Sequence, residues 1–136
     1  MEESIKSFPK IVVDASIVLA FLLPDEKRLW IDRLFIEYKM GKIKMLSPNI
    51  LYYEVLNGIR SALLRKRIPL KLAKSLIKKF LKIEIDILEI RWKKAFSLAL
   101  KHNLSFYDAA YLSLAKKEKI PLLTLDKLLL KKAEVV

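Results

Sequence analysis

The sequence predicts an α/β fold, a three-layer α/β/α sandwich around a short, mainly parallel sheet. Short β-branched runs alternate with longer stretches of helical periodicity, and such alternation implies crossover connections whose helices cover both faces of the sheet. No internal repeat, low-complexity segment or linker divides the 136 residues, so one domain over 1–136 with one core is expected. A hydrophobic fraction of 54% with only 2 glycines supplies enough apolar surface to offset the entropy of ordering the chain.

Lys10 to Asp14 (KIVVD) reads as the first strand, and Ala15 to Leu23 is too long and leucine-rich for another, so it reads as a buried helix. Ile31, Leu34, Phe35 and Tyr38 recur at helical spacing ahead of Gly41, a left-handed stop, which predicts a helix over roughly 26–40. A short strand near Ile43 to Leu46 follows. Ser47 and Pro48 form a helix-start pair, and the helix continues to about Lys66, with Glu54 inside it. Pro69 opens a fourth helix, making a hairpin with the third. Alternation in Lys82 to Leu88 (KIEIDIL) predicts a strand, and a helix runs from about Glu89 to Lys101. Ser105 caps a helix through Lys116. Pro121 to Leu125 reads as a strand, Asp126 to Ala133 as a short helix, and the final EVV as a very short closing strand that leaves the sheet edge short or completed by a partner.

Composition narrows the function. The longest uncharged apolar run, Ala15 to Leu23, is about half of a membrane span and stops at Pro24, so no transmembrane helix is expected. MEESIK places two glutamates where a secretory signal carries positive charge, which predicts a cytoplasmic protein. Without cysteine there are no disulfides, zinc-thiolate sites or thiol nucleophiles, and a metal would be held by oxygen or by His102. Glutamine is absent and lysine abundant, a composition expected of a thermophilic source. The net charge of +12 therefore has two explanations, growth temperature and a polyanionic partner. No glycine-rich phosphate loop or nucleophile elbow is present.

In the predicted fold Asp14 and Asp126 end strands and Asp108 lies in the first turn of a helix, so the acids can converge on one edge of the sheet. Taken singly, each of the three is equally explained as a helix cap. Glu54 resists that explanation, since it sits on the border of an apolar helix face near Gly58 and Ser61. Carboxylates about 4 Å apart repel by roughly 4 kcal/mol at an effective dielectric of 20, so convergence calls for a divalent cation. All-oxygen ligation suits Mg²⁺ or Mn²⁺.

Four segments carry a resemblance: VVDASIVLAFL (Val12 to Leu22), PNILYYEVLNGI (Pro48 to Ile59), SFYDAAYLSLA (Ser105 to Ala115) and PLLTLD (Pro121 to Asp126). In that order and at those spacings they resemble the successive motifs of PIN domains, and the compact form most resembles the VapC-type toxins of toxin-antitoxin pairs. The resemblance implies a Mg²⁺-dependent endoribonuclease with a parallel-sheet fold, an RNA substrate, a small antitoxin partner and a homodimeric habit. By position, Asp14, Glu54 and Asp108 match the core metal-binding acids, and Asp126 matches a fourth that often contacts metal through water. Ser16, Asn57 and Thr124 match small polar positions that orient the carboxylates or metal waters. Ordinary helix and strand hydroxyls explain Ser16 and Thr124 equally well.

His102, at a predicted helix end, suits the negative dipole there better than a metal. Arg65, Lys66, Arg67, Lys71, Lys74, Lys78 and Lys79 concentrate charge on the helical hairpin, where they either hold RNA phosphates or form a solvated face. Trp30, Trp92, Phe106 and Tyr107 alternate with leucines at helical spacing, as core or dimer contacts do more often than base-stacking platforms. Two other readings compete: a catalytically silent PIN-fold module that binds RNA or protein, and a phosphoacceptor receiver domain. The receiver expects an adjacent acidic pair early in the chain, where this one has a lone Asp14 in DAS.

Overall fold

Residues 10–135 are described by the computed structural model. β1 (Lys10–Val13), β2 (Lys44–Ser47), β3 (Asp86–Ile87) and β4 (Leu122–Leu123) form one sheet in the order β3-β2-β1-β4, with every pairing parallel. Each crossover contains two helices: α1 (Ala15–Leu22) and α2 (Leu29–Lys39), then α3 (Ile50–Leu64) and α4 (Leu70–Leu81), then α5 (Trp92–His102) and α6 (Phe106–Glu118). α7 (Lys127–Val135) follows β4. The expected α/β/α arrangement is thus present, and no helix among the described residues is long and apolar enough to cross a membrane.

The packing explains the composition of the central elements. Ile11, Val12 and Val13 of β1 are fully buried, as a parallel strand covered on both faces requires. α6 lies on β1 and β4 with Ala109 through Ala115 buried in succession, so it has no polar face over that stretch. α1 packs on α2 and α3, and α3 on α4. At Gly58 α3 packs tightly on α1, since a Cβ there would stand 2.5 Å from Leu19 Cδ1.

Strand order determines where a ligand can bind. The chain lays down β1, β2 and β3 side by side and then returns past β1 to place β4 on its other flank. Such a reversal opens a crevice beyond the carboxyl ends of the two strands that flank it, here β1 and β4.

Several expected boundaries differ. The EVV strand is absent: Glu134 and Val135 continue α7, and Val136 lies outside the described residues. No helix breaker separates Ala133 from Glu134, and four-residue strands leave little edge to recruit another. β3 is only Asp86–Ile87 because its partner β2 offers pairing only at Leu46 and Ser47, and β4 is likewise shortened to Leu122–Leu123. α5 begins at Trp92 rather than Glu89, and α2 begins at Leu29 after a short 3₁₀ turn at Pro24–Glu26. Ser47 does not cap α3. It ends β2, buried, and donates to the Val13 carbonyl at 3.0 Å, while the helix starts at Ile50. α3 stops at Leu64, so Arg65, Lys66 and Arg67 form its exit, with Lys66 left-handed at φ 59°.

Candidate active site

Asp14 follows β1 directly and caps α1. Its Oδ1 accepts the Ser16 and Ile17 backbone N–H groups at 3.0 and 3.3 Å and the Ser16 hydroxyl at 2.5 Å. Its Oδ2 accepts the hydroxyl of Thr124, just past β4. The same two hydroxyls reach further: Ser16 Oγ accepts Leu125 N–H at 2.8 Å and Thr124 Oγ1 accepts Asp126 N–H at 3.0 Å. Asp14, Ser16 and Thr124 therefore latch the end of β1 to the end of β4 across the switch point. Asp126 uses Oδ1 to cap α7 through Leu128 and Leu129 N–H, at 2.9 and 3.1 Å. For Asp14 and Asp126, capping and membership of the cluster are the same fact.

Asp108 is different. The cap of α6 is Ser105, whose Oγ accepts Asp108 N–H at 3.1 Å, so the Asp108 carboxylate is free of that duty. Glu54 arrives from α3, partly buried, and accepts the Tyr111 hydroxyl at 2.6 Å. Tyr111 is buried and stands one turn after Asp108 on the face of α6 that meets the acids. The sequence reading missed it; its i+3 spacing from Asp108 is the signal that would have found it.

Electrostatics tie the group together. Burial pushes the Asp14 carboxyl up to about 6, against the lowering effect of its four hydrogen bonds. Asp108 is also raised, by burial first and then by the charges of Asp126 and Glu54. Burial raises the Tyr111 hydroxyl, and the Glu54 hydrogen bond and the charges of Glu54 and Asp14 add to it. Among the described residues no lysine or arginine is ion-paired to any of the four acids, whereas Arg67 is ion-paired to Asp25 and Glu26.

The donor set fits a hard divalent cation: it is all oxygen, partly desolvated and, among the described residues, ion-paired to no cationic side chain. Among the described residues no three of these side chains stand close enough together to hold one ion between them, an arrangement that like-charge repulsion favours. Glu54 engages Oε1 with Tyr111 and keeps Oε2 for another partner.

The remaining expected residues separate cleanly. Ser16 and Thr124 sit against Asp14, whereas Asn57 is exposed and makes no hydrogen bond to the acids. His102 ends α5 with Nε2 buried and unpartnered. Arg67 is committed: its guanidinium donates to Asp25 at 2.7 and 2.9 Å and to Glu26 at 2.6 Å. Trp30 packs against the core, and Trp92 stacks on Phe106 at 6.1 Å beside Tyr107.

A parallel sheet with acids gathered at its switch point, carried on these motifs, places the chain in the PIN-domain family, whose model matches residues 11–135. The chain is 34% identical over 127 residues to Ribonuclease VapC3 of Pyrobaculum aerophilum, covering 90% of this chain and 94% of that protein. It is similar in structure to PAE2754 of Pyrobaculum aerophilum, with a TM-score of 0.68 at 24% identity over 90% of this chain and 84% of the other. It also resembles VapC20 of Mycobacterium tuberculosis, a sarcin-ricin loop cleaving toxin, with a TM-score of 0.58 at 19% identity over 85% and 91% of the two chains. At these identities both solved structures speak for the fold.

Proposed function

We propose that this protein is an endoribonuclease that hydrolyses RNA phosphodiester bonds with Mg²⁺ or Mn²⁺, and that it is the toxin of a type II toxin-antitoxin pair. One observation carries the reading: Asp14, Glu54, Asp108 and Asp126 surround the switch-point crevice with no ion-paired base among the described residues, in a chain 34% identical over most of its length to a ribonuclease.

Asp14, Glu54 and Asp108 would hold the ion, with Asp126 reaching it through water. When bound, the ion supplies charge neutralisation at the scissile phosphate and lowers the pKa of an attacking water. Ser16 and Thr124 fix both oxygens of Asp14, so its orientation is set before a ligand arrives. Tyr111 holds Glu54 between the α3 face and the crevice. Asp126 keeps one oxygen on the α7 backbone and presents the other. The chain's own contribution is thus orientation and partial exclusion of water.

A toxin requires restraint, so a small antitoxin that inserts a basic or blocking segment among the acids belongs to this reading. A homodimer does too, and the exposed Trp92, Phe96 and Leu100 along one side of α5 provide an apolar face for it. One domain over 1–136 acting in the cytoplasm of a thermophile completes the proposal. The test is cleavage of a mixed panel of labelled RNAs at elevated temperature, with Mg²⁺ or Mn²⁺ against EDTA, beside Asp14→Asn. Metal-dependent cutting lost in the variant is expected. Cutting that survives Asp14→Asn would place the active site elsewhere, and binding without any cutting would favour the silent module.

A further inference from the structure

We propose that the groove between α5 and α6 is a second RNA site, separate from the acids, that binds the phosphodiester backbone of a long substrate; the proposal rests on the RNA-cutting reading above. The groove is about 500 Å³ and is lined by Arg91, Lys94, Lys101, Lys116, Lys117 and Lys119, with no acidic residue in its walls. Leu98 and the buried Ser113 also line it.

All six cations are exposed. Among the described residues the hydrogen bond they make is from Lys117 Nζ to the Glu89 carbonyl, at 3.4 Å, and none is ion-paired with a carboxylate. Arg67, by contrast, is matched by two acids. Packing cations around a concavity raises the local potential, and a low-dielectric wall focuses it. His102, next to Lys101, is held below its ordinary range by burial first and then by the charges of Lys101, Lys132 and Lys116.

The spacing selects a chain of phosphates over a single anion. Lys94 and Lys101 lie seven residues apart on one side of α5, about 10 Å along its axis. One phosphate cannot satisfy both, whereas successive phosphates of a strand can. Chain order relates the groove to the acids. Arg91 immediately precedes Trp92, whose ring stacks on Phe106 at 6.1 Å, and Phe106 opens the turn of α6 that carries Asp108. Finally, Trp92, Phe96 and Leu100 lie along a different side of α5 from Lys94, Leu98 and Lys101, so a partner seated on the apolar side would leave the groove open.

The test is anisotropy of a long, labelled, mixed-sequence RNA in EDTA, titrated across salt with wild type, with Lys94→Gln/Lys101→Gln/Lys116→Gln, and with an equal-charge control on α4, Lys71→Gln/Lys74→Gln/Lys78→Gln. Three lost single-strand contacts at about 0.7 each should reduce the slope of log K against log salt by about 2 and weaken binding on the order of tenfold, with a clearly smaller change in the control. Equal losses in the two variants would overturn the proposal, since net charge alone would explain them. Unchanged RNA binding with lost binding of poly-glutamate would also overturn it, assigning the groove to an acidic protein segment. The nuclease reading fails separately: a wild type that cuts no RNA with metal, yet shows the slope difference, keeps the groove and loses the enzyme.

Discussion

Asp14 and Asp108 belong to one crevice and are held in opposite ways. Asp14 is buried and has both carboxylate oxygens engaged by Ser16, Ile17 and Thr124, so the protein has fixed its position and burial alone lifts its pKa. Asp108 is half-exposed, is released from capping by Ser105, and feels the charges of Asp126 and Glu54. Burial comes first in raising both, but hydrogen bonds fix Asp14 whereas Asp108 also feels its neighbours' charge. The crevice therefore has a rigid floor at the β1-β4 latch and an adjustable wall of acids above it.

Activity should not distinguish the two, and stability should. Asp14→Asn and Asp108→Asn are each expected to lower metal-dependent RNA cleavage on the order of a thousandfold, since each removes a charge that would hold the ion. Without metal, Asp14→Asn should raise the Tm by removing a buried, unpaired charge, while Asp108→Asn should stay within about 0.5 kcal/mol of wild type. Thermal melts in EDTA measure this. Equal shifts in the two variants would break the floor-and-wall comparison.

The same contrast predicts a pH dependence. Asp14 binds its proton more tightly when folded, at about 6 against 3.8, so the folded protein carries no penalty below pH 3.8. Stability then falls as pH rises through the window from 3.8 to about 6, by about 3 kcal/mol for this group. Urea unfolding in EDTA across that window should show the fall, and Asp14→Asn should lack this component of it. A divalent ion should offset the loss at neutral pH in wild type and not in the variant.

The rigid floor was more legible in the sequence than the wall. DAS after a β-branched run and TLD after PLL point to acids at strand ends; Asp14 directly follows β1, whereas Asp126 lies three residues past the shortened β4 and caps α7. Legibility stopped where tertiary partners decide the outcome. KIEIDIL alternates over seven residues, yet only Asp86 and Ile87 find a strand to pair with. Ser47 looks like a helix cap beside Pro48, yet packing buries it against the Val13 carbonyl. The switch point depends on strand order, which no local pattern records, and Tyr111 matters only because α3 brings Glu54 against it.

Smaller effects should grade the supports of the two acids. Thr124→Val removes the hydroxyl that serves Asp14 Oδ2 and accepts Asp126 N–H, which should cost about 1–2 kcal/mol and weaken Mn²⁺ binding by about 10–100-fold. It should also raise the Asp14 pKa further, because that hydrogen bond lowers it. Tyr111→Phe removes one bond to a partly exposed carboxylate and should cost about 1 kcal/mol, with a smaller change in Mn²⁺ affinity. Calorimetric titration orders the two. A larger binding loss in Tyr111→Phe would place the rigid support at Glu54 instead.

The smallest effect is expected at Asn57. It follows Glu54 by three residues on α3, a spacing that brings two side chains to neighbouring positions, and by resemblance it matches a small polar position that orients the acids. In the structure it is exposed and bonds to none of them, whereas Tyr111 bonds to Glu54. Asn57→Ala should therefore change stability by less than about 0.5 kcal/mol and leave both Mn²⁺ affinity and cleavage close to wild type. A cleavage rate reduced on the order of tenfold at unchanged Mn²⁺ affinity would mean that Asn57 meets RNA directly, moving it from the carboxylates' support to the substrate's path.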